Sequence, residues 1–420
     1  MPISRDSRLR DSMAYGDDQA TENVFEGGAG LAAASNSVEA ERPKPLPTFW
    51  PELMSYVHLG FFALVGCNLR IVMEDAVVRS IAPDDNALFQ DLPGNMLGCF
   101  FIGLFTSAAA QNRGEQSIAV FPLEWTWIQN NAALQLGLRT GFCGSLTTFA
   151  TWQFSMTKLW FNEYGGKPYS SAWSALFGWV IGLLLSIASV TVGEHFACLI
   201  MDYQNMVRNA IHKKEGKSTA KDDVEVVEMG RGDCCGGLVA ELCCKGGEGV
   251  FLAQSFVLFA FTAFYATSIA LASTEPETKD TGRIMLALVF APLGAILRWR
   301  LSKLNGYNGI KTFFMGTFLA NFFGSVVDGV VYGMKYDLLA SDHATQLGTK
   351  IKIHILEGVG TGFSGCLTTV STFMTEIVKL LPKEKGIFPL HSYVYALTTI
   401  VLSNGACSLI YYIVRIKYTP

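Results

Sequence analysis

Nine stretches of the chain stay apolar for about the length a bilayer demands. They fall near 53–69, 92–110, 131–161, 171–200, 250–272, 284–301, 313–334, 351–380 and 391–414. A crossing helix needs about 20 predominantly apolar residues. VHLGFFALVGCNL, FVLFAFTAFYATSIALA and MLALVFAPLGAIL are nearly free of charge over that span. Buried runs in a soluble α/β core stop sooner. The pattern predicts an all-α integral membrane protein with about nine crossings.

The fifth apolar segment stands alone, and the other eight form two sets of four that match element by element. GCNLR at 66–70 answers GAILR at 294–298. Asn95-x-x-Gly98 answers Asn321-x-x-Gly324. GFCGSLTTFATW at 141–152 answers GFSGCLTTVSTF at 362–373, with about seven of twelve positions unchanged where chance gives about one. The fourth segments each follow a proline, Pro168 and Pro389. Four crossings return a chain to its starting side, and one more starts the next set from the opposite face. The sequence therefore predicts two inverted four-helix repeats joined by a single linking transmembrane helix. The expected layout is a disordered polar tail over 1–50, repeat 1 over 51–201, a polar cytosolic loop over 202–249, the linking helix over 250–272 and repeat 2 over 283–416.

Composition agrees with a membrane protein. Half the residues are hydrophobic, 16% are charged and the mean hydropathy is +0.30. Soluble domains carry about 25% charged residues. The net charge of −4 gives no basic excess for nucleic acid. The histidines are scattered, without metal-ligand spacing. Two cysteine doublets, Cys234-Cys235 and Cys243-Cys244, stand in the polar loop. They read as free thiols in a reducing cytosol, with palmitoylation or a metal clip as the other readings. With the N-terminus cytosolic, inside segments hold about 20 Lys/Arg and outside segments about 11, which places the C-terminus extracellular. No h-region of a cleavable signal peptide precedes the first crossing.

Gly-Phe-x-Gly-x-Leu-Thr-Thr has two chemical readings. Small residues let membrane helices pack closely, and threonine bonds back to its own helix. Alternatively, glycine permits a helix break at the bilayer midplane, and the freed carbonyls then need a partner such as a cation.

These residues resemble the Fluc/CrcB fluoride channel family, and the two-in-one layout with a linking helix resembles its eukaryotic FEX exporters. The resemblance covers roughly 55–415, excluding the 202–249 loop. It rests on Gly-x-x-x-Arg ending the first helix, the asparagine of the second, Gly-x-x-Thr-Thr-Phe-x-Thr-Phe of the third and the hydroxyls of the fourth. It implies a structural, central Na⁺ held by backbone carbonyls of Gly144, Thr147, Gly365 and Thr368. It also implies a passive channel exporting fluoride from the cytosol across the plasma membrane, working as a single chain, a pseudo-dimer within the bilayer. No P-loop or catalytic cluster points to an enzyme. The alternative is a proton-coupled transporter of fluoride or another small solute, using Asp91, Asp328 or Glu357.

The pore residues implied are Asn95, Asn321, Thr317, Phe149, Phe373 and the run Tyr395, Thr399, Ser403, spaced by four on one helical face. Hydroxyls and amides replace the water of a small anion, and aromatic edges face it. The repeats differ at these positions. Thr399 and Ser403 correspond to Gly178 and Gly182, Tyr395 to Ser174, and Thr317 to Asp91. Pairing one repeat's first aromatic with the other's second leaves Phe149 with Phe373 intact and Trp152 with Val370 altered. The expectation is one working pore and one degraded one. Arg70 and Arg298, at matching helix ends, read either as an anion-attracting vestibule or as snorkelling interfacial arginines. Arg139 and Asp328 are left without a role.

Overall fold

The computed structural model of the protein describes residues 49–80, 87–106, 118, 120–121, 126–129, 131–165, 167–214, 248–274, 281–306, 312–340, 347–382 and 388–418. Among these there is no strand. The tail up to residue 48 and the cysteine doublets lie outside the described residues.

The first half comprises α1 (Phe49–Ser80), α2 (Leu92–Thr106), the short α3 (Thr126–Gln129), α4, α5 (Ala150–Trp160) and α6 (Pro168–Lys214). α4 starts at Ala132–Leu136, is π-wound over Gly137–Cys143 and ends with Gly144–Leu146. The linking helix is α7 (Glu248–Thr274). The second half comprises α8 (Thr281–Ser302), α9 (Met315–Leu339), α10, α11 (Ser371–Lys379) and α12 (Leu390–Tyr418). α10 runs Leu347–Gly358, π-wound Val359–Ser364 and Gly365–Leu367. Six of the described helices, α1, α6, α7, α8, α9 and α12, are long and apolar enough to cross a membrane, and α2 is a shorter apolar helix. α1 begins at Phe49, slightly before the expected first crossing, and α6 continues past 201 to Lys214 into what the sequence reads as loop.

α1 and α8 lie side by side in opposite directions. Glu52 at the start of α1 pairs with Arg300 near the end of α8, and Asp75 near the end of α1 pairs with Arg283 at the start of α8, each at 3.5 Å. α7 packs outside them. Trp50 donates to Gln254 at 3.1 Å and Tyr265 donates to Val289 O at 3.1 Å. Its other face presents Phe256 and Phe259, both exposed, as expected of a helix bathed in lipid. The core runs through the middle of the bundle, where Phe149, Trp152, Phe373 and Tyr395 are fully buried.

The third expected crossing of each half is two successive helices, α4 then α5 and α10 then α11. The backbone leaves the helix at Thr147 (φ −100°, ψ 147°) and at Thr368 (φ −85°, ψ 158°). The expected break is present, but it does not use glycine's freedom. Gly144 and Gly365 keep right-handed helical angles. Their missing Cβ serves another purpose, close approach, described below.

Candidate functional site

A helix that stops in mid-bundle leaves amide hydrogens unpaired at the start of its continuation. Here the opposite half supplies the acceptor. Thr368 Oγ1 accepts the N–H groups of Phe149 and Ala150 at 3.1 and 3.2 Å, capping α5. Thr147 Oγ1 accepts those of Val370 and Ser371, both at 3.2 Å, capping α11. Each hydroxyl donates backward, Thr147 to Cys143 O and Thr368 to Ser364 O, both at 3.1 Å. Thr148 Oγ1 and Thr368 Oγ1 share a hydrogen bond at 3.3 Å, and Thr147 Oγ1 and Thr369 Oγ1 another at 3.2 Å.

The second threonine of each pair is clamped by the asparagine of its own half. Thr148 N–H donates to Asn95 Oδ1 at 2.8 Å, and Asn95 Nδ2 donates to Thr148 O at 3.1 Å. Asn321 treats Thr369 alike, at 2.8 and 3.2 Å. An asparagine amide thus stands in for the missing helical partner of each interrupted backbone.

Arg70 and Arg298 are neither vestibule-lining nor snorkelling. Their side chains are 1% and 3% exposed and reach the breaks. Arg298 Nη1 donates to Gly144 O at 2.7 Å and Thr368 O at 3.0 Å, and its Nη2 to Thr140 O at 2.6 Å. Arg70 donates from Nη2 to Thr361 O at 2.6 Å and from Nε to Ser145 O at 3.2 Å. Thr140 and Thr361 belong to the π-wound turns, whose widened backbone presents carbonyls out of the regular ladder. The guanidinium of Arg298 lies where a Gly144 side chain would go, and that of Arg70 where a Gly365 side chain would go. Glycine at these two positions admits a cation, not a kink. Two of the four carbonyls expected to hold Na⁺, those of Gly144 and Thr368, already carry Arg298.

Beside the crossing stands an aromatic and polar tract. The rings of Phe149 and Phe373 meet edge to face at 5.5 Å, and Phe373 meets Tyr395 in the same manner at 5.3 Å. Tyr395 OH donates to Glu376 Oε2 at 2.6 Å, and Thr317 Oγ1 to Glu376 Oε1 at 2.7 Å. Asn305 Nδ2 donates to the same Oε1 at 3.1 Å, while its Oδ1 caps α9 at Gly316 N, 2.7 Å. Thr399 and Ser403 continue the buried face of α12. Thr399 Oγ1 bonds back to Tyr395 O at 2.8 Å, and Ser403 Oγ has no partner. Phe149, Phe373, Thr317, Tyr395, Thr399 and Ser403 thus form one tract, while Asn95 and Asn321 belong to the two breaks. Glu376 and Asn305 go unnoticed in the sequence. The available signal was a carboxylate at membrane depth, three residues after Phe373 and so on the same helical face.

The corresponding place in the other half is filled. Trp152 is fully buried, stacks on Phe89 at 5.6 Å and donates to Gly178 O at 3.3 Å. A Cβ on Gly182 would lie 2.6 Å from the indole, and one on Gly178 would strike Met156. Val370 is buried and offers no ring. Asp91 occupies the Thr317 position, buried, with neither carboxylate oxygen hydrogen-bonded. Arg139 donates to Phe105 O at 2.9 Å and ties α4 to the end of α2.

Comparison with known proteins gives the family. The CrcB-like protein family, Camphor Resistance (CrcB), matches residues 57–193 and 285–411. Fluoride export protein 1 of Neurospora crassa is 26% identical over 82% of this chain and 63% of its own length. Its Candida albicans namesake is 27% identical over 65% of this chain and 60% of its own length. The chain therefore spans about three fifths of those two relatives. The fluoride-specific ion channel FluC of Haemophilus influenzae strain PittGG is 35% identical over 24% of this chain and 73% of its own length. No solved structure matches. Two matched segments that together take in both four-helix sets, out to the fourth helix of each, show that the chain belongs to the CrcB-like family.

Proposed function

We propose that the protein is a passive fluoride channel with one working pathway and one closed one. The observation that carries this reading is the edge-to-face contact of Phe149 with Phe373, flanked by the hydroxyls of Thr317, Tyr395, Thr399 and Ser403. Ring edges and hydroxyl donors suit a small, strongly hydrated anion. Ser403 Oγ, buried without a partner, has a free hydrogen for a passing ion. The relatives named for fluoride export and fluoride-specific conduction support the choice of halide. In the second pathway Trp152 and Met156 press against Gly178 and Gly182, and Val370 replaces a ring.

In this reading the halves are inverted repeats in a layout of about nine crossings, for which the antiparallel pairing of α1 with α8 is the support. The N-terminus is cytosolic, the C-terminus extracellular, and the protein serves the plasma membrane as a single chain. The residues at the crossing fit a fixed cation better than a free Na⁺. An ion bound by Gly144, Thr147, Gly365 and Thr368 would share two carbonyls with the Arg298 guanidinium, and like charges repel at short range. Export needs no coupled site. A potential negative inside drives an anion outward by about 2.3 kcal/mol per 100 mV.

The test is fluoride efflux from liposomes. Phe373→Ile abolishes it and Val370→Ala leaves it intact. Equal loss from both overturns the single-pathway reading. Currents reversing at the fluoride equilibrium potential, unmoved by a pH gradient, separate a channel from a coupled exchanger.

A further inference from the structure

Asp91 stands in the turn that leads into α2, outside the spanning helices, and is 1% exposed. Neither carboxylate oxygen has a hydrogen-bond partner. The contrast with the other half is plain. There the buried carboxylate, Glu376, receives hydrogens from Tyr395, Thr317 and Asn305. Asp91 receives none.

The charged groups facing Asp91 are Glu74 and Arg70 of α1 and Asp328 of α9. The turn is fixed beside Arg70, because a Cβ on Gly94 would lie 3.8 Å from Arg70 Cγ. Arg70 is already engaged. Its Nη1 donates to Glu74 Oε1 at 3.3 Å, and its Nη2 and Nε go to the carbonyls of Thr361 and Ser145. An ionised carboxylate out of water, with no donor of its own and two other carboxylates facing it, is unstable and takes up a proton instead.

We propose that Asp91 is held as a neutral carboxylic acid that turns its hydrogen toward Glu74, so that Arg70, Glu74 and Asp91 form a charge-neutral relay sealing one end of the second pathway. At the equivalent point of the working pathway stands a hydroxyl, Thr317. In the relay the one hydrogen of Asp91 points at Glu74, so a fluoride ion arriving there finds acceptors and a negative charge. The sealing role rests on the single-pathway reading, and the bound proton does not.

The experiment compares thermal midpoints of the detergent-solubilised full chain and its Asp91→Asn variant from about pH 5 to about pH 9. In the unfolded chain an aspartate ionises near pH 4. Folded Asp91 therefore holds a proton that the unfolded chain lacks, and stability falls as pH rises until the folded acid ionises. The wild-type midpoint is expected to fall progressively behind that of Asp91→Asn across this range. Glu74→Gln frees Arg70 to pair with an ionised Asp91, so its midpoint tracks that of Asp91→Asn without the progressive fall. A constant gap between wild type and both variants overturns the proposal. A gap that follows added NaCl at fixed pH, and not pH itself, also overturns it, because the bound cation is then a metal. Fluoride efflux through Asp91→Asn is expected to match wild type. A fall in efflux with the pH-dependent gap intact puts Asp91 on the conducting route, which removes the sealing role and leaves the proton.

Discussion

Thr368 caps the helix that begins after Phe149, although 219 residues separate the two. Thr147 repays the arrangement at Val370 across 223 residues. Neither interrupted helix restarts within its own half. The start of α5 needs a hydroxyl from α10, and the start of α11 needs one from α4. This interlock explains why Thr-Thr occurs in both copies. The first threonine serves the opposite half and the second is clamped at home by asparagine.

Thr368→Val removes an acceptor from two buried N–H groups and a donor from Ser364 O. Loss of an N-cap costs about 1–2 kcal/mol. Denaturation in detergent should show that loss for Thr368→Val and for Thr147→Val, with Ser at either position close to wild type. The double variant should lose less than the sum, because both changes loosen the same crossing.

The repeat, the helix breaks and the aromatic contact are legible in the sequence because identity at matching positions marks them in both copies. The two arginines mislead. A charge near the end of an apolar segment reads as interfacial when its acceptors are out of sight, and here those acceptors lie 75 residues away for Arg70 and 154 for Arg298. The glycines mislead for a related reason. Gly144 and Gly365 look like hinge points, yet their helical angles show that the missing Cβ, and not backbone freedom, is what matters. Glu376 escapes notice because it has no counterpart in the first half, where Ser155 takes its place. Comparison of copies reveals what is shared and hides what only one possesses.

Glu376 depends on three donors, and removing one is expected to be felt in conduction. Tyr395→Phe deletes the hydroxyl on Oε2 and keeps the ring against Phe373. A buried acceptor left without one of its donors costs about 1–3 kcal/mol. Fluoride efflux should fall by roughly tenfold or more, following from about 1.4 kcal/mol per factor of ten. Thr317→Val should act in the same direction, and Tyr393→Phe, on the exposed side of α12, should do nothing.

Gly182 accommodates the Trp152 indole, so a methyl there forces the ring aside. Overpacking of this kind costs about 1–3 kcal/mol. Gly182→Ala should lower the thermal midpoint and, if the proposed single pathway holds, leave fluoride efflux unchanged, because the clash falls in the pathway proposed as closed. Loss of efflux in a protein that still purifies as a folded monomer would show that Trp152 borders a conducting route.

Arg298 offers a sharper test of what holds the centre together. Its guanidinium binds carbonyls from both halves, Gly144 and Thr140 of the first and Thr368 of the second. Among the described residues no carboxylate pairs with it, whereas Arg70 has Glu74. Arg298→Met therefore leaves three carbonyls at membrane depth without their donor, and a buried acceptor left unsatisfied costs about 1–3 kcal/mol. Arg298→Lys keeps the charge but loses the planar fork that reaches several acceptors at once, and should recover part of the loss. If the guanidinium is the cation of the crossing, efflux from wild-type protein dialysed exhaustively against a sodium-free buffer of a large organic cation should equal efflux in sodium. Should wild-type efflux vanish on dialysis and return with Na⁺, a free ion shares those carbonyls after all, and Arg298 would then be its neighbour and not its replacement.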